Sequence, residues 1–236
     1  MSWKPKRFWA TTSAEPCEGG FRVLLDARVV KTPGKAPVVV PTLALAQAIA
    51  AEWGAQHGLV RPQTMPFSRA ANSAIDKVAV QFDVVAAGLS AYGASDLLCY
   101  RATAQPDLLT LQAAGWDPLL HWAATDLGAP LTVTQGVIPV AQPETSTARL
   151  HAIVAAMTPF QIVALHDLVA LSGSLILALA VTRGRLSPAA AWDLSRIDET
   201  WQIAQWGADE EAAALTESKR QDFHQAATLW TLLLPN

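Results

Sequence analysis

Cysteine is nearly absent. Cys17 and Cys99 are the only thiols and lie far apart in the sequence. That excludes a disulfide framework and fits no metal-ligand spacing, so both read as free thiols of a reducing compartment. A basic surplus is absent too. Lys and Arg number 17 against 20 Asp and Glu, a formal net charge of −3. The one basic cluster is Lys4, Lys6 and Arg7, so no nucleic-acid partner is expected. Phosphate-binding loops are missing. Gly34-Lys35 has neither a glycine five residues earlier nor a following Ser or Thr, and no dinucleotide fingerprint follows a strand. Ser172-Gly173-Ser174 lacks the upstream glycine of a nucleophile elbow. Its small residues suit close helix packing, with hydroxyls bonded back along the helix. No cofactor and no metal are expected.

Long apolar runs are also scarce. The apolar stretch 168–181 falls short of the ~20 residues of a membrane span, and His166, Asp167 and Arg183 bound it. It predicts a buried core segment and no membrane insertion. The N-terminus shows no apolar signal core behind its basic residues. The expectation is a cytoplasmic protein, or a mature form already imported.

What the sequence does contain is apolar mass. Hydrophobic residues make up 51% and charged residues 16% of 236, enough for one large domain or two small ones. The β signal is confined to the start. Phe21–Leu25 and Val29–Thr32 flank Asp26-Ala27-Arg28 as a hairpin, and Val38–Val40, stopped by Pro41, is a third strand. Ala27 is a poor residue for a tight primed turn, which predicts a slightly longer loop. Thr42 caps a helix over Leu43–Gln56, with Leu43, Ala46, Ala50 and Trp53 on its buried face. Trp53 is its structural anchor on the small sheet. Pro62 and Met65-Pro66 mark a domain boundary: residues 1–64 form a small α+β domain, and 65–236 a larger, mainly helical orthogonal bundle. The fold class is α+β.

In the second part the spacing predicts one helix over Ser68–Tyr92. Two more follow over Pro106–Ala114 and Asp117–Leu127, split at Asp117-Pro118. Asp96–Arg101 is ambiguous between strand and helix. Leu131–Gln135 is a candidate strand that Val137–Val140 extends. Helices follow over Thr147–Met157 and Phe160–Arg183, and from Ser187-Pro188 onward through Trp192, Trp201 and Trp206. Gly207 is a helix stop, and Asp209 caps a last helix with Glu210 and Glu211 in its first turn. That cap leaves carboxylates for a partner's Arg or Lys.

Chemistry is harder to find. His166-Asp167 could be a base with its orienter, but neighbours on a helix face apart, so a satisfied pair is the plainer reading. His121, beside Trp122, reads as packed. A soluble hydrolase or transferase using His166, Asp167 or the acidic corner stands as the alternative to a binding protein. Nine Trp accompany two Tyr. Trp9, Trp116, Trp122 and Trp206 are not placed by helical spacing and could be buried or face a partner.

Short motifs carry more than any of these. Arg7-Phe8-Trp9, Leu25-Asp26-Ala27-Arg28 with Lys31-Thr32-Pro33, Glu52-Trp53 and Asn72-Ser-Ala-Ile-Asp76 come first. Asp96-Leu-Leu-Cys-Tyr-Arg101, Trp116-Asp117-Pro118, Leu171-Ser-Gly-Ser174 and Trp206-Gly207 with its acids follow. As an ordered set over essentially the whole sequence they resemble the ATP12-type family, assembly chaperones of the ATP synthase catalytic head. The family usually has Gly where this protein has Ala27. The resemblance implies a monomeric, non-enzymatic chaperone. It binds unassembled alpha subunit and releases it to the beta subunit without ATP hydrolysis. It also implies that an acidic residue after Trp206-Gly207 matters for activity: Glu210, or Asp209 or Glu211 by a one-residue slip, with Trp206 beside them. Trp53 and Gly207 would be structural. The family's mitochondrial members carry a presequence that this sequence does not show, which implies a bacterial, cytoplasmic member.

Overall fold

The turn at Asp26-Ala27 sets the register of the N-terminal sheet. In the computed structural model, which describes residues 6–235, β1 (Thr12–Cys17) pairs antiparallel with β2 (Gly20–Leu25). β2 in turn pairs with β3 (Arg28–Val29) and β4 (Val39–Val40). Leu25 faces Arg28, so the β2–β3 loop is two residues long, shorter than the sequence suggested. The positive φ that such a turn requires falls on Asp26 (φ 53°) and not on Ala27. Asp enters that region more readily than most side chains. Its Oδ1 also accepts the N–H groups of Ala10 and Thr11 at 3.0 and 2.9 Å. Those bonds, the Thr11 N–H first, hold the Asp26 carboxyl below the usual range. β1 has no clear sequence signal: Thr-Ser-Ala-Glu-Pro-Cys is neither alternating nor β-branched throughout.

α1 (Leu43–Gly54) starts where Thr42 Oγ1 accepts the N–H of Leu45. It buries Leu45, Ala46, Ile49 and Ala50, while Leu43, expected inside, is exposed. The buried stripe is rotated because its large members are Leu45 and Ile49. Trp53 packs edge-on against Trp9 with centroids 5.2 Å apart, and Trp9 Nε1 donates to the Trp53 carbonyl at 3.3 Å.

The single helix expected over Ser68–Tyr92 is broken. α2 (Pro66–Ser73) runs into a π turn at Ala74–Val78, and α3 (Phe82–Ser90) follows after a gap. The π turn carries Asp76, whose carboxylate accepts Thr32 Oγ1 at 2.7 Å and the Gly34 N–H at 2.8 Å. A wider turn re-aims one side chain without ending the helix. The window Phe82–Cys99 is long and apolar enough, by composition alone, to cross a membrane. It is not one helix, because 3-10 turns at Ala91–Ala94 and Leu97–Cys99 divide it around Asp96.

Further on, β5 (Tyr100–Arg101) pairs in parallel with β6 (Thr134–Gln135), which settles the first ambiguity; Val137–Val140 is not strand. α4 (Pro106–Thr125) is one helix with Pro118 inside it, not two. A proline there removes one backbone bond. The two residues before it are tied to the rest of the fold: Trp116 Nε1 donates to the Leu194 carbonyl at 2.9 Å, and Asp117 pairs with Arg101 at 2.8 Å. α5 (Glu144–Ala155) follows.

The stretch expected as one helix over Phe160–Arg183 is α6 (Pro159–Ser172) and α7 (Leu175–Thr182). Gly173 separates them at φ +73°, and Ser174 caps α7 by accepting the Leu177 N–H at 3.0 Å. Ser172 does bond back along α6, to the Leu168 carbonyl at 2.6 Å. The next helix is likewise divided at Arg196 into α8 (Pro188–Ser195) and α9 (Ile197–Trp206). α10 (Glu210–Leu232) is last. The fold is thus α+β: a small sheet region and a larger helical part.

Two compact units emerge. The first comprises residues 1–82, 158–164 and 228–236, and the second 83–157 and 165–227. The first holds the sheet, α1 and α2, the start of α6 and the end of α10. Its core includes Val23, Leu45 and Ile49, all at 0% exposure. The core of the second includes α7, where every residue from Leu175 to Ala180 is buried, and Trp116, Trp192 and Phe223.

Candidate partner-binding surface

The sequence motifs that lie far apart meet in pairs, and each pair is a buried or half-buried polar tie. Arg7 donates to the carbonyls of Gly54 and Gln56 at 3.0 and 2.7 Å, anchoring the N-terminal segment to the end of α1. Glu52 accepts the N–H groups of Phe67 and Ser68 at 2.7 and 2.8 Å, and Ser68 Oγ at 2.6 Å. A carboxylate thereby caps the start of α2, where the helix dipole favours negative charge. Burial still pushes the Glu52 carboxyl up, against those bonds. Thr32 and Gly34 meet Asp76.

The most buried tie is Asp96, at 0% exposure. It accepts Ser174 Oγ at 2.7 Å, the Ile176 N–H at 3.0 Å and the Leu98 N–H at 3.1 Å. Burial pushes its carboxyl up to about 6. The thiol of Cys99 beside it is pushed up to about 12, by burial and then by Asp96, which makes it an inert core thiol. The side chains of these ties are occupied within the fold.

The acidic corner is built the opposite way. α9 ends at Gly207, whose φ of +89° is a conformation that side chains resist. Asp209 Oδ1 then accepts the Ala212 N–H at 2.8 Å, the geometry of an N-cap. Capping therefore occupies Asp209. Glu210 and Glu211 follow in the first turn of α10, and neither forms a hydrogen bond or ion pair among the described residues. Glu217, by contrast, is tied to Arg220 at 2.7 Å.

Every residue from Gln202 to Asp222 is exposed. The first thirteen residues of α10 therefore run free of the core, about 20 Å at the helical rise of about 1.5 Å per residue. The body resumes only at Phe223, fully buried and 5.6 Å from the Trp192 ring. On this arm Trp206 is 75% exposed, with only the edge of Trp201 against it at 5.8 Å. Trp9, Trp116 and Trp122 are buried, so Trp206 is the one of the four undetermined tryptophans that faces solvent. Ile203, on the same helix face as Trp206 by its i,i+3 spacing, and Leu215 are also exposed. Helical spacing singled out neither. No residue of α9 is buried. Burial is uniformly low from Gln202 to Asp222, and no periodicity reports that.

The enzymatic candidates fare differently. His166 Nδ1 and Asp167 Oδ1 do meet, 2.9 Å apart, contrary to the expectation that helix neighbours face apart. Both side chains reach outward into solvent and curl together there, at 58% and 56% exposure. The hydrogen bond to Asp167 raises the His166 pKa. Among the described residues, no Ser, Thr or Cys side chain bonds to either member of the pair. His121, expected to be packed, is exposed.

The model of the ATP12 chaperone protein family matches residues 6–124. Among curated proteins, the mitochondrial protein atp12 of Schizosaccharomyces pombe is 26% identical over 221 residues, spanning 88% of this chain and 75% of that one. Among solved structures, Atp12 of Paracoccus denitrificans is 53% identical with a TM-score of 0.94, covering 97% of this chain and 98% of that one. An aspartate-to-lysine mutant of the same protein also has a TM-score of 0.94, at 52% identity and the same coverage. The Atu1473 protein of Agrobacterium tumefaciens has a TM-score of 0.90 at 40% identity, covering 97% of this chain and 85% of that one. The chain belongs to the ATP12 chaperone family.

Proposed function

We propose that this protein is an assembly chaperone of the ATP synthase catalytic head that holds unassembled alpha subunit on the α9–α10 arm and passes it to the beta subunit. Family membership supports the assembly role and lends nothing to the hydrolase alternative. The observation that carries the site is the arm itself: a helical surface exposed from Gln202 to Asp222, with a tryptophan at its bend and two unpaired glutamates beside it. Trp206 supplies the large apolar contact typical of interface hot spots. Glu210 and Glu211 supply charges that cost no internal ion pair to redirect, with Asp209 holding the helix start between them and Gly207 allowing the bend. Trp53, packed on Trp9 in the first unit, keeps a structural role.

In this reading no nucleotide is hydrolysed. Release follows because the beta subunit covers the same alpha surface with a larger interface, so the chaperone contact must stay modest. We take the working form to be a monomer in a bacterial cytoplasm; the identity to the Paracoccus protein supports the bacterial part of that reading. Co-purification of alpha subunit with this protein, and suppression of its aggregation, tests the reading. The substitution Glu210→Lys is expected to weaken capture and leave the fold intact.

A further inference from the structure

We propose that the cleft between the C-terminal turns of α4 and α7 is a carboxylate-binding site for an acidic peptide segment, with Arg183 and Arg185 as its anion-binding forks. The cleft has a volume of about 450 Å³ and is lined by Trp122, Asp126, Arg183, Gly184 and Arg185. It uses none of the residues of the acidic arm.

The backbone under the two arginines is locked. Gly184 takes φ +68°. The N–H groups of Arg183, Gly184, Arg185 and Leu186 all bond back to the last turn of α7, at 3.0, 3.0, 2.9 and 3.2 Å. Arg185 is also steered from one side, its guanidinium lying 5.7 Å from the centre of the Trp122 ring. That ring is itself buried, so it is a fixed floor.

A plainer reading is that both arginines neutralise the negative ends of α4 and α7. Other arginines of this unit show what such a contact looks like. Arg149 donates to the Leu127 carbonyl at 2.9 Å and Arg196 to the Leu171 carbonyl at 3.3 Å. Among the described residues, neither Arg183 nor Arg185 donates a side-chain hydrogen bond to any carbonyl, and neither pairs with Asp126. Two guanidiniums therefore flank one concavity with their donors open. Planar forks of this kind match a carboxylate or a phosphate.

Asp126 decides between the two. Asp126 lines the same cleft, and its carboxylate accepts Thr125 Oγ1 at 2.5 Å. A dianionic phosphate would meet that charge at close range, whereas a carboxylate carries a single one. A peptide also brings amide N–H groups beside its carboxylate, and Asp126 can accept one. The carboxylate can come from an Asp or Glu side group or from the peptide's own C-terminus.

The test follows the indole N–H of Trp122 by NMR in the full-length protein. Three probes are titrated: an acetylated, amidated tetraglutamate, an acetylated tetra-alanine with a free C-terminal carboxylate, and inorganic phosphate. Saturable shifts with either peptide, at millimolar dissociation constants, are expected; the peptide that binds identifies the source of the carboxylate. Arg183→Gln is expected to weaken that binding about tenfold, as loss of a charge-assisted bond does. Because the Arg183 guanidinium donates to no carbonyl and pairs with no carboxylate among the described residues, this variant tests the site even if Arg185→Gln fails to fold for want of its contact with Trp122. Asp126→Asn should strengthen phosphate binding more than peptide binding, because it removes the charge that a dianion meets most strongly and keeps an acceptor for a peptide N–H. Absence of any peptide shift, tighter binding of phosphate than of both peptides to the unaltered protein, or equal peptide binding by Arg183→Gln would overturn the proposal.

Discussion

Replacing Asp96 with Asn should make the protein's stability respond differently to pH. The carboxylate is fully buried and accepts three donors, yet burial outweighs those bonds and lifts its pKa from 3.8 to about 6. A carboxyl raised in the folded state binds its proton more tightly there than in the unfolded state. Its contribution to stability is therefore full below the unfolded value and is lost as pH rises through about 6. A shift of about two units corresponds to roughly 3 kcal/mol. Asn is neutral throughout and keeps the volume. The stability of the unaltered protein relative to Asp96→Asn should thus fall by roughly 3 kcal/mol between about pH 4 and about pH 7. Urea unfolding followed by tryptophan fluorescence at several pH values measures this, the variant serving as the baseline that cancels other titrating groups. A difference that stays flat, or grows with pH, would show that the hydrogen bonds and not burial dominate at Asp96. Asp96→Ala is a harsher case. It strands the Leu98 and Ile176 N–H groups and the Ser174 hydroxyl, and should cost about 3–5 kcal/mol near pH 4 and progressively less as pH rises through about 6.

Asp76→Ala removes two charge-assisted bonds from the π turn, and the site is only half-buried. A loss of about 2 kcal/mol is expected by chemical denaturation, and unchanged stability would mean the π turn holds without the sheet. Gly173→Ala forces a side chain into φ +73° while its Cβ would meet Leu97 at an ordinary 3.8 Å. The cost should be backbone strain alone, about 1 kcal/mol, and a loss several times larger would point to a clash at α6–α7. Trp53→Arg places a charge against the buried Trp9 ring, in a site where Trp53's own indole N–H is buried and has no partner among the described residues. It should lower soluble yield, and a well-folded variant that fails to capture alpha subunit would instead make Trp53 a contact residue.

The sequence exposed where elements start better than where they are interrupted. The caps at Thr42, Ser187 and Asp209 were all legible, because each is a local bond from a side chain to a nearby N–H. The interruptions were not. Gly173 and the π turn at Asp76 break helices whose apolar spacing continues through them, and their cause is a partner distant in sequence: Leu97 N–H on the Gly173 carbonyl, and Thr32 and Gly34 on Asp76. Pro118 failed in the other direction, since the ties at Trp116 and Asp117 keep α4 continuous through a residue that usually ends a helix. At the candidate surface, Gly207 and the carboxylates could be read from local chemistry. That Trp206, Ile203 and Leu215 stand in solvent could not, because an apolar residue on a helix looks the same whether it faces a core or a missing partner.

The central claim rests on the arm, and capture of purified alpha subunit by this protein, compared with its Glu210→Lys variant at matched folding, tests it most directly. Weakened capture by a variant whose circular dichroism and thermal midpoint match the parent is the predicted result. Undiminished capture by that variant, and by Trp206→Ala beside it, would contradict the account and move the docking surface elsewhere on the molecule.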